Sequence, residues 1–138
     1  MNNRSMNGFT LLEVLVALLV LSFGFLGVAA MHIKSMQAAH LSYQRSIATL
    51  AAQDAGERLW KELAENPPVC PTANTGDTWS VEWYGEWSQH LPGLVHDGST
   101  ISKNDCTYTI TVEWQDDRFG GESVSNLVYV IRLPGDVS

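Results

Sequence analysis

Positive charge is scarce in the second half of this sequence. From Glu62 to the end, Lys103, Arg118 and Arg132 stand against 12 aspartates and glutamates. A surface of that sign repels a phosphate backbone, so direct binding of nucleic acid there is disfavoured. Catalytic patterns are equally sparse. His32, His40, His90 and His96 fall at no metal-ligand spacing, and the chain has no nucleophile elbow, phosphate-binding loop or Cys-His pairing. Asp116 and Asp117 are adjacent acids, which read as turn residues more readily than as a Ca²⁺ site. Neither an enzyme nor a cofactor or metal is expected. Proline is missing until Pro67, so nothing breaks a helix before it.

What is present is a long apolar run. From Val14 to Met31 no residue carries a charge, a stretch of 18 residues, which as a helix would extend about 27 Å at roughly 1.5 Å per residue. Phe9 to Leu12 bring it to bilayer-spanning length, behind a polar leader with one base, Arg4. A single carboxylate, Glu13, interrupts the run. Insertion of such a group into a membrane costs on the order of 3 kcal/mol, so it calls for a partner. Cleavage after Gly8 would place a new α-amine on Phe9 and make Glu13 the fifth residue. Positions one and five share a helix face, and between staggered copies the carboxylate of one can meet the amine of the next. Buried charge would then set registry.

Gly8-Phe9-Thr10-Leu11-Leu12-Glu13 followed by a hydrophobic run resembles the class III leader of type IV pilins and type II secretion pseudopilins. The resemblance implies cleavage between Gly8 and Phe9 by a prepilin peptidase on the cytoplasmic side, and N-methylation of Phe9. An ordinary secretory signal is cut after its apolar region, not before it.

Past the apolar run the helical pattern continues but becomes one-sided. Ile33, Met36, His40, Tyr43, Ile47, Leu50, Ala51, Ala55, Leu59 and Leu63 recur at three and four, with Lys34, Gln37, Gln44, Arg45 and Gln53 between them. The i,i+4 pairs Asp54/Arg58 and Glu57/Lys61 read as a solvated helix face. Asn66-Pro67-Pro68 ends the helix, giving an expected rod from Phe9 to about Glu65. Further on, Trp79, Trp83, Trp87 and Leu91 repeat at four, which favours a short helix with Asp77 as N-cap and an apolar stripe turned to the core. Leu94 to Asp105 reads mostly as loop, with a short strand near Val95 as the exception. Tyr108, Ile110, Val112 and Trp114 alternate with Thr and Glu as a half-buried strand, and Val124 to Leu133 reads as its returning partner, with Arg132 outward. The tail Pro134-Gly135-Asp136 is expected to be loose.

The expected fold class is therefore α+β: a long N-terminal helix laid on a small antiparallel sheet. Its divisions are residues 1–8 as leader, 9–31 as transmembrane or filament-core helix, 32–66 as amphipathic continuation and 67–138 as a periplasmic head. If the head lies outside the cytoplasmic membrane, an oxidising compartment favours a disulfide between Cys70 and Cys106, the only two cysteines, worth roughly 3 to 4 kcal/mol by the chain-entropy model. A metal pair is the alternative, without a nearby His or second Cys pair to complete it.

Asp54 to Pro67 (DAGERLWKELAENP), Leu91-Pro92-Gly93 and Tyr108 to Trp114 (YTITVEW) further resemble landmarks of the PilV minor pilins. That resemblance implies a low-copy subunit that joins other minor pilins and the major pilin, primes pilus assembly from the inner membrane, and sits at the filament tip with a tip adhesin. Twitching motility and adhesion would depend on it. A minor pseudopilin of a type II secretion system shares the leader and rod and is the alternative. A tethered periplasmic binding domain is a third reading, one that leaves Gly8, Phe9 and Glu13 without a role.

Overall fold

The computed structural model describes residues 10–73, 78–116 and 124–136. The chain divides into two compact units, residues 1–40 and 41–138. One helix, α1 (Leu11–Glu65), belongs to both. In the first unit the uncharged run of α1 from Val14 to Met31 is almost wholly apolar and exposed throughout. In the second unit follow α2 (Thr78–His90), β1 (Thr100–Asn104), β2 (Thr107–Gln115) and β3 (Val124–Arg132). The strands form an antiparallel sheet in the order β1-β2-β3, with Ile101 opposite Ile110 and Ile110 opposite Tyr129.

Strict alternation places Tyr108, Ile110, Val112 and Trp114 of β2 on one face, all buried. Against them lie Ala48, Ala51, Ala52, Ala55, Leu59 and Leu63 of α1, with Trp83, Leu91, Leu94 and Leu133 closing the core. Small residues on the helix meet large ones on the sheet, so the bulky side chains of β2 fill the space between the two elements. Gly56 extends this face to β3, where a Cβ would stand 3.4 Å from Ile131 Cδ1. Three indoles then tie the helix down. Trp114 Nε1 donates to Gln44 Oε1 at 3.3 Å, Trp83 Nε1 to the Ala51 carbonyl at 2.8 Å, and Trp87 Nε1 to Asp54 Oδ2 at 2.9 Å. Gln44 is thereby a buried polar side chain with a partner.

The buried stripe of α1 differs from the one that periodicity suggests. Tyr43 and Leu50 are exposed, whereas Gln44, Ala48, Ala52 and Gly56 are buried. Hydropathy ranks Leu above Ala, but between positions 48 and 56 the residues that face the sheet's large side chains are small. Asp54 and Arg58 are likewise not a solvated face. The Arg58 side chain is 23% exposed, binding Asp54 Oδ2 at 2.9 Å and Glu86 Oε2 of α2 at 2.7 Å. Only α2 supplies the third and fourth members of this group, Glu86 and Trp87. Lys61, by contrast, stands exposed, 4.0 Å from Glu65.

Residues 94–105 are more ordered than their composition suggests. β1 lies at Thr100–Asn104, not near Val95, and Val95 instead donates its N–H to the Glu113 carbonyl. One apolar residue, Ile101, in a five-residue strand gives little alternation to read. Asp105 turns the chain into β2 with φ 53°, a conformation Asp tolerates better than most residues. Gly93, at φ 83°, accepts a hydrogen bond from Gln115 N and has the Gln115 carbonyl where a Cβ would point. No side chain fits there. Asp77 and residues 117–123 lie outside the described residues, and with them the expected N-cap of α2 and the β2–β3 loop.

The end of α1 and the chain terminus are joined through one junction. A disulfide links Cys70 to Cys106 with their Cα atoms 5.7 Å apart. Lys103 Nζ donates to the Cys70 carbonyl, and the Tyr108 hydroxyl donates to the Pro71 carbonyl at 2.6 Å. The tail is not loose: Asp136 N donates to the Pro68 carbonyl at 2.7 Å and Cys70 N to the Asp136 carbonyl at 3.2 Å. Gly135 permits this passage, since a Cβ there would meet Cys70 Sγ at 2.6 Å and the Pro68 carbonyl at 2.9 Å. Gly135→Ala is therefore expected to destabilise the head by about 1 to 3 kcal/mol through overpacking, measured by denaturant unfolding.

Burial, and secondarily the Glu62 carboxylate, raises the Tyr108 pKa above its ordinary value of 10.0. The neutral phenol is thus favoured in the folded state, and its contribution is fully present below pH 10.0 and lost as pH rises through the higher folded value. Tyr108→Phe is expected to cost about 1 kcal/mol near neutrality, from the lost bond to Pro71 and the orphaned carbonyl, and to remove this part of the alkaline instability. Thermal melts of both proteins across the alkaline range measure it.

Candidate functional site

The chemistry singled out by the sequence lies at the start of α1. Thr10 caps the helix: its carbonyl accepts from Glu13 N at 3.0 Å and Val14 N at 3.3 Å, and its hydroxyl accepts from Glu13 N at 3.4 Å. Thr10-Leu11-Leu12-Glu13 has the spacing of a capping box, with Thr at N-cap and an acid three residues on. Periodicity does not draw attention to Thr10, but the Thr-x-x-Glu pattern ahead of an apolar run marks it.

Glu13 therefore has two parts with separate roles. Its backbone N–H closes the cap, while its side chain is exposed in the first turn, surrounded by the exposed side chains of Leu11, Leu12, Val14 and Leu15. Among the described residues no cation pairs with its carboxylate. The first turn favours a negative charge through the helix dipole, and that favours an acid at this end of α1 whatever else it meets. Gly8 and Phe9 lie outside the described residues, so the pairing of Glu13 with an amine on Phe9 has no geometry here.

The rest of the described chain has little that would do chemistry. Among the described residues no group of three or more His, Cys, Asp or Glu side chains is placed to hold a metal ion. A cavity of about 20 Å³ lies among Ser80, Trp83, Tyr84, His96, Ser99 and Ile101, room for about one water molecule. Its polar groups are engaged. The Tyr84 hydroxyl donates to the Leu94 carbonyl, Ser99 Oγ accepts from Glu113 N, and the His96 ring packs edge-on against Tyr84 with centroids 4.6 Å apart. These contacts hold residues 94–99 between α2 and the sheet. They are structural.

The first part of α1 is a membrane-compatible helix. The uncharged part of α1 is long and apolar enough to cross a bilayer, which fits a single-pass membrane anchor. No curated protein and no solved structure matches the chain. Residues 3–29, about a fifth of the sequence, match the family described as the prokaryotic N-terminal methylation motif, and with the α+β architecture this supports a type IV pilin-like protein.

Proposed function

We propose that this protein is a minor pilin of a type IV pilus, most like the PilV group, which helps prime assembly and resides at or near the filament tip. The observation that carries this reading is the start of α1: a methylation motif, a first-turn Glu13 and an apolar stretch with none of its residues buried. A helix of that kind calls for lipid or for other helices, and a charge within it calls for a counter-charge. On this reading residues 1–8 are removed by a prepilin peptidase, Phe9 is N-methylated, and Glu13 pairs with a neighbouring amine. The protein is held in the inner membrane with its head in the periplasm, then passes into the filament beside other minor pilins and the major pilin. A tip adhesin is a further partner of the assembled complex.

The role of Glu13 has a direct test. Glu13→Ala is expected to leave cleavage after Gly8 intact, because the scissile bond lies several residues away, but to reduce incorporation into sheared filaments by about tenfold or more, as loss of a desolvated ion pair would. Normal incorporation of the variant overturns the registry role.

The reading as a whole is checked by the N-terminal peptide mass of the protein from sheared surface filaments, quantified against the principal subunit. A chain beginning at methylated Phe9 and present at trace level is the expected result. An uncleaved Met1 start confined to membranes would leave only a tethered domain. Deletion is expected to impair motility and adhesion; a defect in protein secretion instead would assign the chain to a pseudopilin.

A further inference from the structure

The two edges of the sheet are protected very differently. β1 is five residues long, mostly polar, and includes Lys103, the kind of edge that resists pairing with another chain. β3 is nine residues long, about 30 Å at roughly 3.3 Å per residue. Asn126 to Ile131 reads Asn-Leu-Val-Tyr-Val-Ile, with no charge, proline or glycine, and Arg132 is the one charged residue of the strand. Among the described residues only β2 pairs with β3. On the outward face Val128 is 57% and Val130 is 58% exposed, beside Thr111 and Thr109 of β2. On the inward side, Tyr129 and Ile131 are only partly buried under Gly56, and Trp60, one helical turn on from that glycine, is 43% exposed.

A long, regular, uncharged edge of this kind aggregates unless something covers it. Charge selects among the candidates. A second copy would bring 12 acids and three bases against the same excess, so like charge opposes self-pairing. A different chain with a basic surface is drawn in. We propose that the free edge of β3 is a docking strand: it takes an extended segment of a different polypeptide, apolar along its core and net positive around it, by main-chain pairing. Alternate side chains of that segment would continue the Val and Thr face outward and cover Trp60 inward, as in strand addition to other sheet edges. The surface belongs to the folded head, so the inference goes beyond the minor-pilin reading and stands without it.

The test uses the full-length chain in its native cells, with the photo-crosslinker benzoylphenylalanine in place of Val130 on β3 or, as the comparison, in place of Ser102 on β1. Adducts are read in membranes, before any filament is collected, so the outcome does not depend on whether the N-terminal mass supports a pilin. The expected result is one adduct from position 130, absent from position 102, mapped by peptide mass to a strand-forming segment of a different chain with net positive charge. Val128→Lys in the same background is expected to lower its yield by about tenfold, since an edge lysine opposes strand addition, with the melting temperature of the head unchanged. If that variant melts early, Asn126→Lys serves instead. An adduct to a second copy, to an acidic chain or to a helical segment overturns the proposal, as does no adduct at position 130 or a yield unchanged by the folded lysine variant.

Discussion

The match of small residues on α1 to large ones on β2 is the constraint on which the head depends. Ala48, Ala51, Ala52 and Ala55 present almost no side chain, so Tyr108, Ile110, Val112 and Trp114 reach the helix surface itself. Burial of those large side chains, each worth about 1.5 to 3 kcal/mol when fully removed from water, supplies the driving force. Small residues on the helix are what make that burial geometrically possible. With the helix surface so lightly covered, the indoles of Trp83 on α2 and Trp114 on β2 come within hydrogen-bonding reach of the Ala51 carbonyl and of Gln44. Specific polar contacts therefore follow from apolar packing.

A second layer of organisation closes the end of the head. The disulfide, the Tyr108 hydroxyl, Lys103 and the backbone of Asp136 all converge on residues 68–71, where the chain leaves α1. The hydrogen bonds there satisfy backbone groups that a proline-rich turn cannot pair with a helix or strand neighbour. Gly135 is the residue without which the tail could not lie in place. The junction keeps the sheet's β1–β2 turn and the end of the helix in fixed register, leaving the outward faces of the sheet free for other contacts.

On the proposed reading, function is a matter of surfaces rather than of a reaction. The apolar surface of the first half of α1, with a charged residue in its first turn, is suited to lipid or to other helices. The head has a different character: residues 62–138 carry 12 acids against three bases, and none of those acids lies on β3. Long-range charge governs which chains approach such a head, while the uncharged edge governs how an approaching strand is held. The two terms act at different distances and do not compete.

Much of the architecture was legible in the residues. Prolines 67 and 68 ended the long helix, four-residue spacing of Trp83, Trp87 and Leu91 marked α2, and strict alternation from Tyr108 to Trp114 marked β2, because each is a local pattern with a local cause. The methylation motif within residues 3–29 was readable for the same reason. What the tertiary structure alone decided is which side of α1 faces inward, that Asp54 and Arg58 join α2 through Trp87 and Glu86, that Thr100 to Asn104 becomes an edge strand, and that the tail is pinned beside Cys70. Each of these depends on a partner distant in sequence. Hydropathy and spacing describe what one segment can bury; they do not say how large the side chains opposite it will be.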